Sequence, residues 1–65
     1  MRVRFKNKIY LCTKVTHPKV SNFLIIATPN GVYTVDMITC EQAELMYNNI
    51  LINGYCDFSE YEYSN

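Results

Sequence analysis

Hydrophobic and polar residues alternate along the first fifteen residues of the chain, with mostly apolar odd positions and mostly basic even positions. A period of two is typical of a β-strand with one apolar and one solvated face. The pattern predicts either one long strand over residues 2–15 or a hairpin with a three-residue loop at positions 6–8. That loop would pair Phe5 with Ile9 and keep apolar side chains on one face. A two-residue loop is not expected, because it would mix the two faces.

A second hairpin is predicted over residues 23–38, after a loop that contains Pro18 and ends the alternation. Its strands are rich in β-branched and aromatic residues, and they flank Pro29-Asn30-Gly31. Proline presets φ early in a turn, and glycine accepts a positive φ at its end, so these residues predict a three-residue turn at 29–31. The resulting register assigns to the core face Phe23, Ile25, Ala27, Tyr33, Val35 and Met37.

A helix is predicted over residues 39–53. Thr39 and Gln42 form a capping box, and Gly54 supplies a stop because it can adopt the left-handed cap conformation. Helical spacing predicts one core-facing stripe, which consists of Cys40, Ala43, Met46, Tyr47, Ile50 and Leu51. Leu45 and Ile52 point away from it.

The C-terminal segment, residues 55–65, alternates acidic and aromatic residues, which indicates either an edge strand or a mobile tail. The chain therefore predicts a single α+β domain over residues 1–65. Its antiparallel sheet has three to five strands, and one amphipathic helix packs on one face. The order is a strand or hairpin, a hairpin, the helix and the tail.

Zero net charge conceals a segregation, since all six basic residues precede position 20 and all six acidic residues follow position 35. The three cysteines form no C-x-x-C pair, so reduced thiols are expected rather than a disulfide framework. The chain lacks both a signal-peptide pattern and an apolar run near the roughly 20 residues of a membrane helix. These features predict a cytoplasmic protein, in a cell or in the host of a phage, without a membrane partner.

No pattern of residues indicates catalysis. Cys40 with His17 and Asp36 would supply the residue types of a thiol enzyme, but nothing in their spacing supports that alternative. A zinc site would need the scattered cysteines and His17 to converge. Both glycines are explained by backbone geometry, which leaves no phosphate-binding loop. The prediction is a non-enzymatic protein with no cofactor and no metal.

The predicted function is protein binding, as a stoichiometric inhibitor or adaptor of the kind that phages and mobile elements encode against host nucleic-acid-processing or defence complexes. Aromatic residues are enriched at interfaces, and spaced carboxylates suit a basic partner. The predicted binding residues in the tail are Tyr55, Asp57, Phe58, Glu60, Tyr61, Glu62 and Tyr63. A homodimer is also predicted, through Leu45 with Ile52 or through a second apolar patch of Leu24, Ile26 and Val32.

A nucleic-acid-binding protein is the alternative function. It would use the basic face of the N-terminal strand to follow a phosphate backbone, while an aromatic ring stacks on a base. The residues of this alternative are Arg2, Arg4, Lys6, Lys8, Tyr10 and Lys14. Nucleic-acid-binding domains of this size are usually strongly basic, whereas this chain has no net charge, so a protein partner is favoured.

Overall fold

A computed structural model describes residues 1–64, and Asn65, the last residue of the predicted tail, lies outside the described residues. These 64 residues form one helix and seven strands. The elements are β1 (Arg2–Phe5), β2 (Lys8–Leu11), β3 (Lys14–Thr16), β4 (Phe23–Thr28), β5 (Gly31–Asp36), α1 (Cys40–Asn53), β6 (Tyr55–Asp57) and β7 (Glu62–Ser64).

The strands lie in two sheets, which have the orders β2-β1-β6 and β3-β4-β5-β7. All strand pairs are antiparallel except β1 with β6. This parallel pair brings the N-terminal strand beside the C-terminal segment. The predicted α+β class is confirmed, with the strands divided between two sheets. The inner faces of both sheets and one side of α1 enclose a single core.

The first hairpin has a two-residue loop, Lys6-Asn7, and pairs Phe5 with Lys8. The predicted three-residue loop is therefore wrong. The shift of one residue turns β2 over, so that Tyr10 points inward, where its ring centroid lies 5.8 Å from that of Phe5. The packing of Tyr10 on Phe5 favours this register over the predicted one, in which Phe5 pairs with Ile9 and the basic side chains share one face. The consequence is that Ile9 and Leu11 lie outside the core.

The second hairpin is also one residue out of the predicted register. Leu24 pairs with Val35 and Ile26 with Tyr33, which leaves only Pro29 and Asn30 in the loop. Leu24 and Ile26 are fully buried, whereas the sequence assigned the neighbouring face of β4, with its smaller Ala27, to the core. Burial of the two large aliphatic side chains stabilises the observed register.

The helix begins and ends where the sequence predicted. The Thr39 hydroxyl accepts a hydrogen bond from the Gln42 backbone N–H at 3.1 Å, and Gly54 has a φ of 71°. Ala43 and Ile50 are fully buried, but Leu51 is half exposed, so its assignment to the core stripe is wrong. Within residues 1–64, no helix is long and apolar enough to cross a membrane.

The C-terminal segment contributes a strand to each sheet. β6 lies beside β1, β7 lies beside β5, and Phe58 between them is fully buried. The Phe58 backbone N–H donates to the Arg4 carbonyl oxygen at 2.9 Å. Of the two predicted alternatives, an edge strand or a mobile tail, the segment forms edge strands. Because these strands belong to different sheets, the segment connects the two sheets.

Candidate functional site

Residues 60–62 stand between two neighbouring clefts. The larger cleft has a volume of about 570 Å³ and is lined by Lys6, Ser59, Glu60, Tyr61, Glu62 and Tyr63. The smaller one, of about 310 Å³, is lined by Asp36, Met37, Ile38, Glu60, Tyr61 and Glu62. We refer to Asp36, Glu60, Tyr61, Glu62 and Tyr63 as the acidic aromatic site.

Strand pairing concentrates negative charge at this site. β5 and β7 pair with Asp36 directly opposite Glu62, and both side chains are exposed. Directly opposed residues on an antiparallel pair lie close together on the same face, so two carboxylates there repel each other. Glu60 adds a third carboxylate to the lining of both clefts. A cation bound between these groups would relieve the repulsion.

The two tyrosines of the site are anchored by the core. The Tyr63 ring lies 4.4 Å from that of Phe5 between centroids, and the Tyr61 ring lies 6.2 Å from that of Phe58. The Tyr61 hydroxyl also accepts a hydrogen bond from the Gln42 side-chain amide at 3.2 Å. Both tyrosines are half-buried. Their rings are thus held in place by packing on the core and, for Tyr61, by a hydrogen bond.

One wall of the larger cleft is fixed by hydrogen bonds around Lys6, which has a left-handed φ of 56°. Its N–H donates to the Ser59 hydroxyl at 2.7 Å, and Arg4 Nε donates to its carbonyl oxygen at 2.9 Å. The Ser59 hydroxyl and N–H in turn donate to Asp57 Oδ1. These bonds, the hydroxyl first, hold the pKa of Asp57 below its usual value. Asp57 therefore supports the wall instead of lining the cleft.

Two other tail residues lie away from the acidic aromatic site. Phe58 is fully buried, so the prediction that it contacts a partner is wrong. Tyr55 lies in the other sheet, on the face that faces away from the core. The tail residues that the structure brings together are Glu60, Tyr61, Glu62 and Tyr63.

The two predicted apolar patches have different outcomes. Leu45 and Ile52 are exposed on α1, as the sequence predicted. Leu24 and Ile26 are fully buried, so the second patch does not exist in its predicted form, and only Val32 of that set is exposed. The one-residue shift of the second hairpin exchanges the two faces of β4 and explains the difference.

The basic residues of the nucleic-acid alternative do not share one face. Tyr10 is packed against the core, and the Lys8 ammonium lies 5.7 Å from its ring centroid. Arg2 and Arg4 occupy the opposite face of that sheet, and Lys14 belongs to the other sheet. The predicted combination of a basic strand face with a stacking tyrosine is therefore wrong.

Carboxylates, tyrosine rings and two clefts thus lie close together in this part of the fold. Comparison with family models, curated proteins and solved structures finds no match. Among residues 1–64, no group of three or more His, Cys, Asp or Glu side chains is placed to hold a metal ion.

Sequence reasoning missed two contributors to this site. Asp36 was considered only as an orienting group for a thiol, and Ile38, which is 87% exposed at the smaller cleft, was not considered. The sequence did hold one signal for them: Asp36 and Ile38 lie on either side of Met37 at the end of a predicted strand, so both fall on the face opposite to the core. Its meaning depends on β7 as the neighbouring strand, which the sequence does not specify.

The cysteines differ in accessibility. Burial raises the pKa of the Cys12 thiol, and it raises that of Cys56 to about 11, whereas Cys40 is only half-buried at the start of α1. A protonated, buried thiol is a poor nucleophile. We expect only Cys40 to react with a disulfide reagent in the folded protein at neutral pH, and all three cysteines after denaturation.

Colorimetric thiol titration with and without denaturant measures this difference. The Cys40→Ser variant should show almost no reaction while folded. Rapid reaction of a second thiol in the native protein would contradict the buried positions of Cys12 and Cys56.

Proposed function

We propose that this protein is a non-enzymatic protein-binding module whose acidic aromatic site accepts a basic segment of a partner protein. The observation that carries the proposal is the direct pairing of Asp36 with Glu62 next to the anchored Tyr61, which lines both clefts. Like charges placed opposite each other reduce the stability of the free protein. A cationic partner removes that cost on binding, so the arrangement favours the bound state.

The chemistry of the site favours arginine over lysine in the partner. A planar guanidinium forms paired hydrogen bonds with a carboxylate and stacks on an aromatic ring, whereas an ammonium acts as a compact point charge. Glu60 and Glu62 supply the carboxylates, and Tyr61 supplies a ring at both clefts. The exposed Ile38 offers an apolar contact for the aliphatic stem of the same side chain.

A module of this size acts by occupying a surface. An acidic site suits a partner whose basic cleft ordinarily holds nucleic acid, because the carboxylates can take the place of phosphates. The proposed role is thus that of a stoichiometric inhibitor or adaptor in the cytoplasm of a cell or of a host cell, as in proteins that phages and mobile elements encode.

Charge reversal at the site is expected to abolish this binding. An oligoarginine peptide serves as the probe, with an oligolysine peptide for comparison. We expect the Glu60→Lys, Glu62→Lys double variant to bind oligoarginine at least about tenfold more weakly, equivalent to about 1.4 kcal/mol. Raising the salt concentration should weaken wild-type binding in the same way. Amide chemical shifts during titration locate the peptide, and calorimetry gives the affinity.

The matched control is the Glu41→Lys, Glu44→Lys double variant, which makes the same change in net charge on the exposed side of α1. It should bind the peptide almost as the wild type does. Equal weakening in both variants would mean that net charge alone attracts the peptide, and the proposed site would be wrong. Asp57 is left unchanged because its carboxylate holds Ser59.

A further inference from the structure

The sheet β2-β1-β6 exposes apolar residues on the face that points away from the core. Strand pairing places Leu11, Arg2 and Tyr55 in one row across this face and Ile9, Arg4 and Asp57 in the next. Ile9 is 52% exposed and Leu11 is 60% exposed. We call these six residues the outer sheet face. It combines two aliphatic side chains and Tyr55 with two arginines and one carboxylate, Asp57, whose Oδ1 is held by Ser59.

Helix α1 exposes a complementary stripe. Leu45 is 59% exposed, and Ile52, two turns further along the same side, is 81% exposed. Glu41 lies one turn before Leu45 on the same side, and Glu44 neighbours Glu41 at the edge of the stripe; both are exposed. We call Glu41, Glu44, Leu45 and Ile52 the outer helix stripe. It combines aliphatic side chains with two carboxylates.

We propose that the protein self-associates by placing the outer helix stripe of one copy on the outer sheet face of a second copy. A sheet face and an apolar helix stripe are the two surfaces that stable layered folds pack together. Here both are exposed on the same chain, and their net charges are opposite, since two arginines outweigh Asp57 on the sheet face, so each surface finds its complement on another copy. Burial of the four exposed aliphatic side chains drives the contact, and the Arg and Glu side chains orient it.

This contact does not involve the acidic aromatic site. Its residues belong to α1, β1, β2 and β6, whereas the clefts are lined by residues 36–38 and 59–63 together with Lys6. Self-association and binding of a basic partner are therefore separable by mutation. Each copy also retains its own clefts in the assembly.

Sedimentation equilibrium of the full chain over a wide concentration range tests the proposal. We expect concentration-dependent association in the wild type. The Arg2→Glu variant places an acidic group against the acidic stripe, and the Glu41→Lys, Glu44→Lys variant places a basic stripe against a basic face. Each variant alone is expected to associate at least about tenfold more weakly.

Mixing the two variants is the decisive measurement. The acidic stripe of the first variant fits the basic face of the second, and the basic stripe of the second fits the acidic face of the first, so the mixture should associate again. A wild type that is monomeric throughout, or a mixture that stays monomeric while both variants melt like the wild type, would overturn the proposal. Loss of association in the Glu60→Lys, Glu62→Lys variant would also overturn it, because that result would place the contact at the acidic aromatic site.

Discussion

Replacement of Phe58 by alanine is expected to destabilise the protein by about 3–5 kcal/mol. The ring is fully buried and lies 6.1 Å from that of Phe5 between centroids, at the point where the chain passes from one sheet to the other. A domain of this length has a total stability of only about 3–10 kcal/mol at the usual value per residue. The variant should therefore lose a large part of its total stability, which urea titration followed by circular dichroism measures as a lower midpoint.

Phe58→Leu is the matched control, because it keeps a large apolar side chain at the same position. We expect it to lose clearly less stability than the alanine variant, since the remaining cavity is smaller. A Phe58→Ala protein with a wild-type urea midpoint would contradict the buried position. That result would instead support the sequence-based prediction that Phe58 is exposed and contacts a partner.

The Phe58 result separates two functions of the tail that the sequence presents as one. Acidic and aromatic residues alternate from Tyr55 to Tyr63, and the sequence alone does not distinguish those that bind a partner from those that pack in the core. In the folded chain, Phe58 holds the core together and Asp57 fixes a loop, which leaves residues 60–63 at the clefts. Deleting the whole tail would remove the buried Phe58 and both C-terminal strands, so we expect it to destabilise the fold, and single positions have to be tested.

Elements with local signals were predicted closely. Thr39 and Gln42 satisfy backbone groups within one turn of the helix, and Gly54 takes the left-handed cap conformation, so both ends of α1 depend on adjacent residues. The parallel pairing of β1 with β6 joins opposite ends of the chain. It has no local signal, so the sequence does not predict which sheet β6 joins.

Both hairpin registers were wrong by one residue for a common reason. Loops of two and three residues fit the same turn sequences, and a change of one residue reverses every side chain on one strand. The choice is made by distant partners. Tyr10 packs against Tyr33, with ring centroids 5.5 Å apart, and Tyr63 covers Phe5. The Asp36–Glu62 pair depends on a third pairing, that of β5 with β7, for which the sequence holds no local signal.

The shorter second loop makes Gly31 indispensable. Proline cannot take the positive φ that the preferred two-residue hairpin turns require at their first position, so the loop at Pro29 does not match the twist of the strands. The backbone compensates at the pair that closes the loop, Thr28 with Gly31, where Gly31 has a positive φ of 142°. The Gly31 carbonyl oxygen also accepts a hydrogen bond from the Thr28 hydroxyl at 2.8 Å, which fixes the turn.

Gly31→Val is consequently expected to destabilise the fold by about 1–3 kcal/mol, although valine favours strands elsewhere. Asparagine supplies the matched comparison, because it tolerates the left-handed conformation of Gly54, at a φ of 71°, but not the conformation of Gly31. The urea midpoint should therefore fall much further for Gly31→Asn than for Gly54→Asn. Equal midpoints would show that the backbone at Gly31 is an ordinary strand. The two-residue loop, and with it the pairing of Leu24 with Val35, would then be wrong.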